Sequence, residues 1–392
     1  MIDASDISYD NLWASKRALA EGCSKRAAEE SYGTILGATL SAMFPERIRR
    51  AVLDGVSDSH DYMAGGWSTN LRDTDLLFAK LAEYCFEAGR DSCAVYDEDG
   101  PAFIAANIQS TIAKFKHNPI PVPGNATHGP QIVTLNDLKL FFRDIVYMPL
   151  LELPRTAQIL HELSQGFGTT LSAWKRDRIP QRGQPLSKRC LEDGPYSPSC
   201  FSGAHTWDVT YGIACSDGLS RLNQTKEQYR EYANKIMAQS RLIGAAWASI
   251  QLPCTAWHAR PHWRYDGNFH NETAHPILFA GNTFDPVTPL YNAFVMARGF
   301  EGAGVLQQNS EGHCTYASPS MCTGRALREY FQSGRLPGSK GGLEDWDGYG
   351  ALCEPGRLPF DGYEKGTTPE LPKGETDKKL WEALVSLNQV WP

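Results

Sequence analysis

The chain has 392 residues, 42% of them hydrophobic, and a formal net charge of -7. That length and apolar content suffice to bury a large core, as one domain or as a core with an insert. The acidic balance leaves no basic surface for a phosphate backbone, so nucleic acid is not an expected partner, and no run is long and apolar enough to predict a membrane span.

From Tyr9 to Glu30 the pattern is that of a polar helix rich in Ala, Lys and Glu, with Leu12, Trp13, Leu19 and Cys23 available for one buried face. At Ser31 the texture changes. Ile35, Leu36, Thr39, Leu40 and Met43 recur at helical spacing, while Gly33, Gly37 and Ala38 keep another face small enough to lie close on a sheet. Pro45 closes this helix, and the apolar run at 51–56 predicts a buried strand of a parallel sheet. Between about Ser57 and Pro261, amphipathic stretches and proline-rich loops such as 119–123 lack strand–helix alternation, which predicts a helical insert or cap. Alternation resumes with an apolar strand at 277–280, a helix over 290–299, a short strand at Val305 and Leu306, and a helix near 326–331. From Gly338 onward the composition predicts surface loop with one short terminal helix. The expected organisation is a core remnant with the small-residue helix at 1–60, a mainly helical cap at 61–265 and the C-terminal part of the core at 266–392.

Three residues in this frame carry chemistry. Ser31-Tyr32-Gly33-Thr34, opening a small-residue helix, has the form of the second half of a nucleophile elbow, in which the Tyr32 N–H and the helix N-terminus stabilise an oxyanion. Asp285, in the loop 281–289 after the apolar strand, stands where a triad acid belongs, at the carboxyl end of a strand. His313 follows the strand at Val305 beside Gly312. Each has an ordinary alternative: Ser as a helix N-cap, Asp as a turn residue before Pro286, His as a surface residue. Chain order decides, because Ser, Asp, His in succession is the order of α/β-hydrolases.

The blocks 31–58, 275–291 and 309–337 resemble the secreted tripeptidyl/prolyl aminopeptidase-like α/β-hydrolases with a TAP-like C-terminal domain. The resemblance implies an α/β-hydrolase fold with a helical cap, cleavage of peptides at free N-termini or ester hydrolysis, and no metal or organic cofactor. Carried over by position, Ser31 is the nucleophile, Asp285 the acid and His313 the base, acting on a peptide or small ester; nothing bears on oligomeric state. The run 23–30 is polar with Glu29 where an elbow has glycine, and 30 residues are too few for the strands that normally come first. The expectation is a sheet without its N-terminal strands, an unstrained Ser31 and a chain that is inactive or nearly so.

Asp54 before Gly55 is a turn residue before it is an alternative acid, and Pro261 separates His258 from His262 as metal ligands. Asp217 is either a binder of a substrate ammonium group or part of a disulfide-anchored turn, and Trp207, Trp247, Trp257 and Trp263 are expected in the cap core or its lining. The ten cysteines lack paired zinc spacing and predict disulfides, with Cys85–Cys93 and Cys314–Cys322 as local candidates. Sequons at Asn125, Asn223 and Asn271 agree with a secretory route, although the chain opens without a signal segment.

Overall fold

A computed structural model describes residues 27–126, 128–178, 188–193, 206–344, 346–360 and 374–388. The chain builds a mixed α/β fold around a six-stranded sheet ordered β1 (Ala27–Glu30), β2 (Ala51–Asp54), β5 (Leu278–Phe284), β6 (Gly304–Glu311), β8 (Tyr349–Cys353) and β7 (Ser339–Lys340). All neighbours are parallel except the final β7–β8 pair. The central strands open on apolar residues because helices cover both faces. Leu53, Phe279 and Val305, in register, face one side with Ile35 and Ala38 of α1 (Tyr32–Met43) and Ala293 and Met296 of the helix Leu290–Ala297. Their chain neighbours Val52, Leu278 and Leu306 face the other side, where they meet Tyr330 of the helix Met321–Ser333. The Tyr330 hydroxyl donates to the Pro276 carbonyl at 2.6 Å and accepts from the Ala51 N–H at 3.1 Å, so one buried phenol satisfies the starts of two strands.

Between β2 and β5 lies the cap. Its helices include Leu76–Ala88, Pro101–His117, Leu135–Ile145, Pro149–Ser164, Thr206–Asp217 and Lys226–Gln239. They enclose a core of their own, with Leu77, Leu81, Ile104, Phe141, Phe142, Leu153 and Leu160 fully buried. Thr134 caps the helix Leu135–Ile145 in a reciprocal capping box with Asp137. The fold is thus an α/β-hydrolase-like core with a helical cap, and among the described residues β1 is the edge of the sheet.

Three expectations are corrected. Ala27–Glu30 is a strand rather than the end of a helix: it runs parallel to β2 with Ala27 opposite Ala51 and Glu30 opposite Asp54. Pairing overrides the modest helix preference of Ala and Glu, which tertiary context regularly does. The segment after Gly338 supplies β7 and β8 instead of loop alone, and the cap contains an antiparallel pair, β3 (Ile120–Val122) with β4 (Gln131–Val133). Cys322 bonds Cys353, tying the helix Met321–Ser333 to β8, while Cys314 is a buried free thiol. Cys85–Cys93 is formed as expected, and Cys215–Cys254 ties the end of the helix Thr206–Asp217 to the turn Ser249–Ala256. The predicted helix before residue 27 lies outside the described residues.

Peptide mapping without reductant should recover Cys85–Cys93, Cys215–Cys254 and Cys322–Cys353 as linked pairs and Cys314 as an alkylatable thiol only after unfolding. Recovery of a Cys314–Cys322 peptide would contradict this arrangement.

Candidate active site

Ser31 occupies the turn between β1 and α1 with φ 55 and ψ -122, a conformation that side-chain-bearing residues rarely adopt. Such a residue costs on the order of 1–3 kcal/mol, so its surroundings must hold it. Its N–H donates to the Asp54 carbonyl at 3.0 Å, and its own carbonyl accepts from both the N–H and the hydroxyl of Thr34 at 2.9 and 2.6 Å. The Thr34 hydroxyl in turn accepts from the Ser57 N–H. Although Ser31 precedes a helix, its side chain makes no capping hydrogen bond. The ordinary reason for a serine at this position is therefore not in use, and the strain expected to be missing is present.

Asp285 lies just beyond β5 and is fully buried. Its carboxylate accepts from the N–H groups of Val287 and Thr288 at 2.9 and 2.8 Å, from the Thr288 hydroxyl at 2.9 Å and from the Cys314 N–H at 2.9 Å. His313 Nδ1 stands 3.1 and 3.2 Å from the two carboxylate oxygens and 2.9 Å from the Thr288 hydroxyl. With the proton on Nδ1 facing the carboxylate, Nε2 carries the lone pair. Nε2 is buried and has no hydrogen-bond partner, so the Ser31 hydroxyl does not stand within hydrogen-bond distance of it. From the cap side, Tyr147 accepts the His313 N–H on its carbonyl at 3.1 Å and sets its ring edge-on to the imidazole, with centroids 5.2 Å apart. Gly312 has φ 102, and a Cβ there would meet the Pro149 ring at 2.6 Å.

Asp54, at the end of β2, does not reach the imidazole. It accepts from the Thr315 N–H at 3.0 and 3.1 Å and from the Thr315 hydroxyl at 2.5 Å. Burial pushes its carboxyl up to about 6, against the Thr315 bonds that pull it down. Gly55 follows with φ 65, and a Cβ there would collide with Cys314 Sγ and crowd His313 Cε1 at 3.2 Å. Burial raises the Cys314 thiol well above its ordinary range, which keeps it neutral and unreactive. Two of the described non-glycine residues with positive φ, Ser31 and Cys314, thus converge on the ends of β1, β2 and β6.

Tyr32 is the first residue of α1, where an N–H has no intrahelical partner. Its phenol donates to Asp217 Oδ2 at 2.6 Å, and the Tyr62 phenol donates to the same oxygen at 3.2 Å. Asp217 is therefore carried from the cap to the residue beside Ser31. Arg260 braces that end of the helix by bonding the Cys215 and Gly218 carbonyls, and no ion pair to Asp217 occurs among the described residues. His258 and His262 are exposed in irregular chain. No group of three or more His, Cys, Asp or Glu suited to a metal occurs among the described residues. Trp247 belongs to the cap core and Trp263 is 61% exposed, while Trp257 donates to the Ser216 hydroxyl at 3.3 Å; the side chain of Trp207 lies outside the described residues. Thr288, Tyr147 and Thr315 are additions that the structure makes to the site. Of these, Thr288 has a signal in the sequence, since Asp-Pro-Val-Thr favours an Asp side chain folding back on the next N–H groups.

Residues 240–342 match the family described as TAP-like protein. That span contains β5 and β6, with Asp285 and His313, but not Ser31. The match is partial and, with the fold, is consistent with a member of the α/β-hydrolase superfamily. A comparison with curated proteins finds no match.

The raised carboxyl of Asp54 gives a pH-dependent prediction. Folding favours its protonated form, so the stability this form contributes is present below the ordinary value of 3.8 and is lost as pH rises through about 6. A displacement of that size corresponds to about 3 kcal/mol. Relative to Asp54→Asn, the wild-type thermal midpoint should fall between pH 4 and pH 7; a constant difference across that range would refute the assignment.

Proposed function

We propose that the chain is a serine hydrolase working through an acyl-enzyme. The observation that carries the reading is Ser31 at φ 55 on a strand-to-helix turn with its hydroxyl unused as a cap. Supporting it is the imidazole of His313, whose Nδ1 faces the buried Asp285 and whose Nε2 is thereby left to take a proton. His313 takes the Ser31 proton as Oγ attacks a carbonyl, and Asp285 orients the ring and stabilises the imidazolium. The oxyanion forms at the N-terminus of α1, where the Tyr32 N–H donates to it. Collapse expels the leaving group with a proton from His313, and water activated by the same imidazole releases the acyl group. No cofactor takes part in this sequence.

The substrate we infer is a peptide cleaved near its free N-terminus. A half-buried carboxylate without a cationic partner among the described residues, Asp217, held beside Tyr32 by two phenols, favours a substrate that brings its own ammonium group. Three disulfides among the described residues support an oxidising, extracellular setting. The second reading, a carboxylesterase, rests on the same nucleophile without a role for Asp217. A non-catalytic chain is the third.

Labelling with a fluorophosphonate separates the third reading from the others: stoichiometric modification at Ser31 is expected, and an unlabelled, folded protein would establish a non-catalytic chain. Ser31→Ala and His313→Ala should each lower turnover on the order of 10⁴-fold or more without unfolding the protein, with Asp285→Asn similar or somewhat milder. Between the first two readings, rates on aminoacyl or tripeptidyl amides should drop when the amine is blocked, and Asp217→Asn should raise KM for free-amine substrates more than for simple esters. A preference for N-blocked substrates would sink the aminopeptidase reading.

A further inference from the structure

The three Asn-X-Thr sequons stand in different surroundings, and the contrast is sharpest between Asn271 and Asn223. Asn271 is built into the core's edge. Its side-chain Nδ2 donates to the Ala42 carbonyl at 3.1 Å and its Oδ1 accepts from the Glu272 N–H at 2.9 Å. Its main chain bonds Gly299 and Glu301, and Thr273 of the same sequon is buried, with its hydroxyl on the His275 carbonyl at 2.7 Å. A sugar on Nδ2 would have to occupy the space that the end of α1 fills.

Asn223 is exposed in the turn before the helix Lys226–Gln239, and no side-chain hydrogen bond engages it among the described residues. Its φ of 69 is a left-handed turn conformation that Asn tolerates better than most residues, which alone accounts for an asparagine here. The rest of the sequon is equally compatible with modification. Thr225 is exposed and caps the following helix by accepting from the Gln228 N–H at 3.2 Å, a bond that does not involve Asn223. Asn223 also lines an open recess of about 710 Å³ whose wall includes Arg221, Gln224, Gln228, Tyr232 and Lys235. A recess of amide, guanidinium and aromatic groups offers hydrogen-bond partners and a ring to a first sugar residue. The Asn125 sequon contains Thr127, which lies outside the described residues.

We infer that Asn223 carries an N-linked glycan whose first sugar lies at the rim of this recess, and that Asn271 is an unused sequon in the folded protein. In the transfer, the Asn223 Nδ2 loses one proton to solvent and bonds the anomeric carbon of an N-acetylglucosamine. The lipid diphosphate that carried the oligosaccharide departs with the pair from the broken C–O bond. The step needs no oxidant or reductant. Because transfer takes place on the nascent chain, selection occurs on folding: a chain modified at Asn271 cannot seat that side chain against Ala42 and does not reach the native state.

The test is site occupancy in the full chain, sent through the secretory route of a yeast behind a cleavable leader and purified as folded, disulfide-bonded protein. Endoglycosidase treatment followed by peptide mass spectrometry should leave one N-acetylglucosamine on the Asn223 peptide and none on the Asn271 peptide. Asn223→Gln should lose that modification, and Asn271→Gln should leave the glycan count unchanged. The wild-type map decides the matter even where a variant is poorly secreted. An unmodified Asn223 in folded wild-type protein, or sugar on Asn271 in the same fraction, would overturn the inference.

Discussion

Two carboxylates buried at neighbouring strand ends must find donors, and both find them on one short turn. Asp285 after β5 takes the N–H of Cys314 along with the N–H groups of Val287 and Thr288, while Asp54 after β2 takes the N–H and hydroxyl of Thr315. The turn 313–315 is therefore gripped from two strands at once. That grip accompanies the φ of 65 at Cys314 and leaves no room for a side chain at Gly55. A buried carboxylate that loses its donors costs on the order of several kcal/mol, so the position of His313 follows from satisfying these two acids.

The same grip sets the electrostatics. Burial does most to raise the Asp54 carboxyl, and the negative charge of Asp285 nearby adds to it. Asp285 has the richer donor set and faces the imidazole, whereas Asp54 has a single residue, Thr315, as its side-chain partner among the described residues. The two acids are thereby distinguished by their hydrogen bonds, although both sit at carboxyl ends of parallel strands.

Much of this is legible in the sequence, and the rest is hidden for identifiable reasons. The buried strands around Leu53 and Phe279 announce themselves as apolar runs, because a parallel sheet is covered on both faces. β1 reads as helix because Ala and Glu favour a helix locally, and only pairing with β2 makes them extended. β7 and β8 escape notice because short strands at a sheet edge carry little apolar signal among Gly and Pro. At the site, Ser31, Asp285 and His313 are legible as an ordered set. Thr315 and Tyr147 are not, because their partners are remote in the chain, 261 residues away for Thr315, and no local pattern records them. The Cys314–Cys322 expectation fails because spacing alone does not register that Cys314 faces β2 while Cys322 faces β8.

The contact of Tyr147 with His313 has a consequence for how such a molecule can diversify. The cap supplies a carbonyl to the main chain of the histidine, a ring against its imidazole and, in Pro149, the wall beside Gly312. Exchange of the whole cap for another would remove the ceiling over the imidazole along with whatever pocket the exchange was meant to change. Variation that leaves His313 in place is confined to cap surfaces outside 147–149, and a graft has to keep that tripeptide as part of the core.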